Sequence, residues 1–279
     1  SHLFSAPVVN ADSRQVYREM KIGTARPDEE ELAQARFYFV GNLSITDYYS
    51  AARYEQDALR LLAELFRTSD YVILSGGSMM YVDAVVKGID DIPTVPDDIR
   101  AEMKQRLESE GLEALGDELK RLDPEYHAIV DLKNPRRVLH ALEICHSTGR
   151  TYTSFRVRAC KPRPFNIIKI GLNIPRPRLF ERINGRVDKM IAEGLVDEAR
   201  ELYPQRGLTA LNTVGYNEMC TYFNGEITLP VAIERMKKKT RVYAKKQLTW
   251  YKRDEEMTWF GPDDFDSIVE YIKSKSVPA

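Results

Sequence analysis

The stretch VVNADSRQVYREMKIGTARP, residues 8–27, sets a carboxylate, a hydroxyl and a guanidinium side by side at Asp12, Ser13 and Arg14, just after a short β-branched run. A carboxylate at a strand tip can act as a general base, and a neighbouring arginine can hold an anion. The same residues also suit a plain turn, in which Asp12 caps the next amides and Arg14 meets a surface acid.

Other chemistry-bearing groups are scattered. GTARP, 23–27, offers a glycine, a hydroxyl and a cation, and reads as a surface loop. SGGSMMY, 75–81, puts two glycines between a strand and a helix. Amides at a helix start can bind phosphate, but tight packing of strand on helix is the plainer reading, and the GxxxxGK[ST] spacing and its lysine are absent. Arg136 and Arg137 fall in the first turn of a helix, where cations oppose the dipole, which hints at an anionic partner. LNTVGYNEM, 211–219, sets Gly215 and Tyr216 before a helix and means little alone. RMKKKTRVYAKKQLTWYKR, 235–253, contains no acid. Such a run is usually a solvated helix face. Its length and the interleaved Tyr243, Trp250 and Tyr251 also fit a surface that tracks phosphates and stacks on bases.

The elements that must place these groups follow from periodicity. APVVNA and RFYFVGN read as short strands, Ser50 to Thr68 as a helix, and YVILSGGSMMYVDAVV as strand, glycine turn and helix. This order points to a parallel α/β sheet, in which ligands bind beyond the C-terminal strand ends. Pro93 to Phe155 is charged and helical, with one helix over PDDIRAEMKQRLESEG and another over NPRRVLHALEICHSTG, started by Asn134 and Pro135. FNIIKIGLNI alternates as a strand returning to the sheet. RPRLFERINGRVDKMIAEG aligns Leu179, Ile183, Val187 and Met190 on one face and ends at Gly194. The basic run is helical too, with Ile233, Met236, Tyr243 and Tyr251 on one stripe.

Bulk properties exclude several classes. The 279 residues are of ordinary composition, and no apolar run is long enough to cross a bilayer, so no membrane association is expected. No signal peptide is visible. Three scattered cysteines show no CxxC pair and fit a reducing cytoplasm. Four histidines lack zinc-site spacing. The net charge of −1 excludes a uniformly basic nucleic-acid binder and leaves the decision to local patches.

Read in order, NADSRQVYREMKIGTARP, DYYSAARYEQDA, SGGSMMYVDAVVKGI, NPRRVLHALEICHSTGRT, RINGRVDKMIAEGLVDE, ALNTVGYNEM and RVYAKKQLTWYKR resemble the tRNA dimethylallyltransferase family, also called tRNA isopentenyltransferases. Each is weak alone. The ordered set covers nearly the whole chain and is specific. The resemblance implies an α/β fold, with a P-loop-type parallel sheet core over 1–92 and 160–279 and a mostly helical, tRNA-binding insertion over 93–159. It implies transfer of a dimethylallyl group from dimethylallyl diphosphate, with Mg²⁺, to N6 of the adenosine 3′ of the anticodon, with the target base extruded into a channel. The protein is expected to be a cytoplasmic monomer that binds the tRNA anticodon stem-loop.

By match, Asp12 is the implied general base. Ser13, Arg14 and Gln15, Ser78, Arg100, the stretch Arg136, Arg137, Val138, Leu139 and His140, and the stretch Asn212, Thr213, Val214, Gly215, Tyr216 and Asn217 are the implied tRNA contacts. Lys237, Lys238, Lys239, Arg241, Lys245 and Lys246 are further RNA-contact candidates on the basic helix. The sequence departs from the family in two places. The family's GPTxxGKT loop, which would hold the diphosphate and most of the metal, has no counterpart before NADS, so the stretch as written is expected to lack its main diphosphate site and to be inactive alone. Asn212 stands where many members have arginine. Three other functions keep a claim. A transferase acting on free adenylate would need neither the insertion nor the basic helix. A nucleotide kinase would want an arginine-bearing lid. A non-catalytic RNA-binding module would not need Asp12.

Overall fold

A computed structural model of the chain describes residues 1–157 and 160–276. These divide into two compact units, one of residues 1–86 and 163–276 and one of 87–162. The expected insertion end at 159 and the core's last three residues, 277–279, lie outside the described residues.

The first unit is built on parallel strands β1 (Val8–Asn10), β2 (Phe37–Tyr38) and β3 (Ile73–Ser75), in the order β2-β1-β3. Every residue of β1 is buried, as a central parallel strand of Val and Asn must be. Between β1 and β2 runs a short helix, α1 (Glu29–Ala33). Between β2 and β3 runs α2 (Ala51–Leu65). The Ser50 hydroxyl caps α2 by accepting from the Arg53 N–H at 3.2 Å. Tyr54, Ala58, Leu62 and Leu65 repeat at helical spacing and pack with Val9, Tyr81 and Val85. The Tyr54 hydroxyl donates to the Asn10 carbonyl at 2.9 Å, which satisfies both groups inside the core. After β3 the chain turns at Gly76 and Gly77 into α3 (Met79–Val86). A Cβ on Gly76 would lie 2.3 Å from the Ala11 backbone, so the turn is fitted directly against the end of β1.

The second unit is helical: α4 (Asp97–Leu122), α5 (Pro124–His127) and α6 (Pro135–Thr148). The helix expected over 96–111 does reach Gly111. There φ is 84°, the axis breaks, and helix resumes to Leu122. The Asn134 side chain accepts from the Arg137 N–H at the start of α6, and Gly149 closes it in the left-handed region. The core holds Met103, Leu115, Leu119, Val138, Ala141 and Leu142.

The chain re-enters the first unit, but FNIIKIGLNI does not rejoin the β1 sheet by hydrogen bonds. Only β4 (Ile170–Leu172) forms, bracketed by Pro164 and Pro175, and its parallel partner is β5 (Thr258–Phe260). Between these strands run α7 (Arg176–Ala192), α8 (Leu195–Leu202), α9 (Tyr216–Phe223) and the long α10 (Leu229–Tyr251), and α11 (Phe265–Lys275) follows β5. Ile183, Val187 and Met190 are the buried face of α7. No helix among the described residues is long and apolar enough to cross a membrane. Cys145 is buried, Cys220 half-buried and Cys160 exposed.

Candidate active site

The tip of β1 is held by its own side chains. The Asn10 Oδ1 accepts from the Asp12 N–H at 3.2 Å, and its amide donates to the Phe39 carbonyl at 3.0 Å. Asp12 Oδ1 accepts from the N–H groups of Arg14 and Gln15 at 2.8 and 3.3 Å, the local turn the residue types suggested. Asp12 Oδ2 has no hydrogen-bond partner among the described residues. One oxygen therefore fixes the loop and the other stays open to a ligand.

Ser13 meets Ser78 across the sheet end. The Ser13 N–H donates to the Ser78 Oγ at 2.8 Å, and the two hydroxyls lie 3.0 Å apart. The Ser78 N–H donates to the Ala11 carbonyl, so the glycine turn packs on β1 through its own amide. Among the described residues Arg14 does not meet a surface acid. Its guanidinium donates to the carbonyls of Thr209 and Ala210 at 3.1 and 3.0 Å and reaches that of Asn212 at 3.5 Å. It fixes the 209–212 stretch beside the β1 tip.

These groups open on a cleft of about 1220 Å³ in the first unit. Asp12, Ser13, Arg14, Gln15, Ser78, Asn212, Thr213, Val214 and Asn217 all line it. Asp12 is the only acid among the lining residues, against Arg14, Arg182 and Arg186. Gly215 and Tyr216 do not line it. Tyr216 is buried to 1% exposure and offers almost no surface to a ligand, which corrects its expected contact role. Lys237, Lys238, Lys239, Arg241, Lys245 and Lys246 do not line it either. Lys237 pairs with Asp188 at 2.7 Å, Lys239 with the buried Glu218 at 2.5 Å, and Arg241 donates to the Asn184 side chain at 2.6 Å. Lys238, Lys245 and Lys246 are exposed without an ion pair among the described residues.

In the second unit, Arg136 and Arg137 are exposed at the start of α6. Val138 is wholly buried and presents no surface, so its contact role is likewise corrected: it anchors the turn that displays the arginines. Leu139 is half-buried. His140 lies 3.6 Å from Glu143, and Arg100 lies 3.8 Å from Asp97.

The sequence reading missed Arg182, Arg186, Tyr243 and Gln247 as cleft residues. The i, i+4 spacing of the two arginines beside the apolar face of α7 was the available signal. Gln247 and Tyr243 both donate to the Gly77 carbonyl, at 2.7 and 3.2 Å, and so dock α10 on the glycine turn. Burial, and then the charge of Asp12, raises the Tyr243 phenol, which stays a neutral donor at physiological pH. Burial pushes the Tyr251 phenol up to about 12. Its hydroxyl is the one buried side-chain polar atom without a partner among the described residues.

Comparison with known proteins gives this geometry its context. The family model described as IPP transferase matches residues 15–254. A tRNA dimethylallyltransferase 1 of Phocaeicola vulgatus is 58% identical over 271 residues, covering 97% of this chain and 90% of that protein. The crystal structure of the full-length tRNA isopentenylpyrophosphate transferase from Bacillus halodurans superposes with a TM-score of 0.68 at 36% identity, over 99% of this chain and 89% of that one. A eukaryotic dimethylallyltransferase acting on tRNA shares the fold, with a TM-score of 0.80 at 21% identity, over 100% of this chain and 76% of that one. A match of this extent, over an α/β core whose β1 tip presents an open carboxylate, places the chain in the IPP transferase family.

Proposed function

We propose that this protein transfers a dimethylallyl group from dimethylallyl diphosphate to N6 of the adenosine 3′ of the anticodon in tRNA. The observation that carries the reading is the Asp12 carboxylate: one oxygen fixed by two backbone amides, the other free, and no second acid along the cleft. Neutral adenine N6 is a poor nucleophile. In this reading Asp12 Oδ2 takes a proton from N6 as the N6–C bond forms, while the allylic C–O bond breaks and diphosphate leaves with its electron pair. No covalent enzyme intermediate is needed. Ser13, Gln15, Asn212, Thr213 and Asn217 surround the target nucleotide. Arg14 acts indirectly, by holding the 209–212 stretch.

Mg²⁺ would be carried with the diphosphate by the substrate's own phosphate oxygens together with the phosphate-binding loop that the family resemblance implies. Among the described residues no three acidic, histidine or cysteine side chains gather as a metal site. The cleft's single acid is the proposed base, so no step is assigned to a metal. Arg136 and Arg137, with Lys238, Lys245 and Lys246, supply cations for the RNA backbone. We take the protein to act as a cytoplasmic monomer.

The test offers the full protein dimethylallyl diphosphate and Mg²⁺ with two acceptors, an anticodon stem-loop RNA and AMP, and reads products by mass. Prenylated RNA alone is expected. Prenylated AMP alone would move the protein to the free-nucleotide branch, and no product from either acceptor would remove the basis of the reading.

A further inference from the structure

Glu198 stands in the first turn of α8, and four donors converge on its carboxylate. Oε2 accepts from the N–H groups of Lys21 and Ile22 at 2.9 and 2.8 Å. Oε1 accepts from the Gly23 N–H at 2.9 Å and the Tyr216 hydroxyl at 2.6 Å. Three successive backbone N–H groups aimed at one anion form a concave nest, and here the chain's own carboxylate fills it. The same turn is held from its other side. Gln15 Nε2 donates to the carbonyls of Thr24 and Ala25 at 3.1 and 3.0 Å, and the Gln15 N–H donates to Asp12 Oδ1. A Cβ on Gly23 would meet the Tyr216 ring at 2.6 Å, so the turn and the start of α9 are also in direct contact. Burial and the adjacent Glu198 charge raise the Tyr216 phenol, which therefore donates.

We propose that Glu198 is the positioning residue that fixes the 21–25 turn and the start of α9 on either side of Asp12. It does not line the cleft. It acts through Gln15 and Thr24 on one lip of the cleft, and through Tyr216 on the 212–215 stretch of the other. The proposal rests on the prenyl-transfer reading for its catalytic consequence, but its structural half is read without substrate. Loss of the carboxylate releases both lips, and a displacement of ~1 Å at reacting groups is worth about 10²-fold in rate.

The test uses Glu198→Gln in the full protein, which keeps size but turns one acceptor oxygen into a donor. Amide hydrogen exchange at residues 21–23 is expected to quicken by roughly tenfold or more, with β1 and α10 unchanged. On the RNA acceptor kcat is expected to fall by about 10- to 100-fold, with KM for the prenyl diphosphate unchanged within about twofold. Glu198→Asp, which restores the charge on a shorter arm, is expected to regain part of kcat, and it takes over both measurements should the Gln variant not fold. Unchanged exchange at 21–23 would overturn the proposal. So would faster exchange with unchanged kcat, or faster exchange throughout β1 and α10, which would make Glu198 a general stabiliser. If the wild-type protein prenylates nothing, the function reading fails, while exchange at 21–23 still decides whether Glu198 fixes the turn.

Discussion

Asp12 divides its carboxylate between two tasks, and the division sets what a substitution does. Asp12→Asn keeps an acceptor for the Arg14 and Gln15 amides but cannot take a proton. It is expected to lower kcat by about 10²- to 10⁴-fold while leaving thermal stability nearly unchanged. A variant that retains wild-type kcat in single-turnover prenylation would remove Asp12 from the chemistry. The lysines of α10 separate in a comparable way. Lys245→Ala with Lys246→Ala is expected to weaken RNA binding and to flatten its salt dependence by roughly 0.7–0.9 in slope per lost phosphate contact. Lys239→Ala instead strips the Nζ from buried Glu218, which also accepts from the Gly215 N–H. Its expected cost is about 1–3 kcal/mol of stability, read by denaturant unfolding. At this scale Asp12 was legible because its types and its place after β1 are local. Glu198 and Gln247 were not, because each acts on a partner far along the chain: 175 residues separate Glu198 from Gly23, and 170 separate Gln247 from Gly77. Pairing partners within the lysine run were equally invisible, since Asp188 and Glu218 lie outside it.

Elements with strong local signals appear where their residues put them. The Ser50 cap and the Tyr54–Leu65 stripe give α2, and the Asn134-Pro135 start and Gly149 stop give α6. β4 is where local reasoning fell short. Alternation over 165–174 was real, but strand length is decided by a partner, and the partner β5 supplies only three residues. Gly111 was read as the end of a helix when it is a kink within one, because a left-handed residue ends the local hydrogen-bond pattern either way. The SGGS turn shows the reverse: packing, the plainer reading, is written in the lack of room at Gly76, where an added Cβ would lie 2.3 Å from the Ala11 backbone. Gly76→Ala is expected to cost about 1–3 kcal/mol or more, as overpacking against backbone does, and to lower activity through the adjacent Asp12 loop. Calorimetry reads the first effect and prenylation the second. A neutral result in both would mean that β1 and α3 can part without consequence.

Across the molecule, 41 basic and 42 acidic residues nearly cancel, yet the cleft carries three arginines to one acid and α10 displays unpaired lysines. Sign is sorted by place, so encounter with RNA is steered by patches rather than by total charge. Composition could state the balance but not this sorting, which arises when the fold pairs Lys237 and Lys239 and leaves Lys245 and Lys246 free. The cysteines are sorted in the same sense. Burial raises the thiols of Cys145 and Cys220 and shields them, whereas Cys160 is exposed in the second unit. A maleimide dye at neutral pH is therefore expected to modify Cys160 first, seen as a single labelled peptide by mass, and uniform labelling of all three would contradict that burial. Among the described residues the chain thus carries one addressable fluorescence handle on its helical unit, so the approach of RNA to that unit can be followed by energy transfer from a labelled RNA with no engineered cysteine.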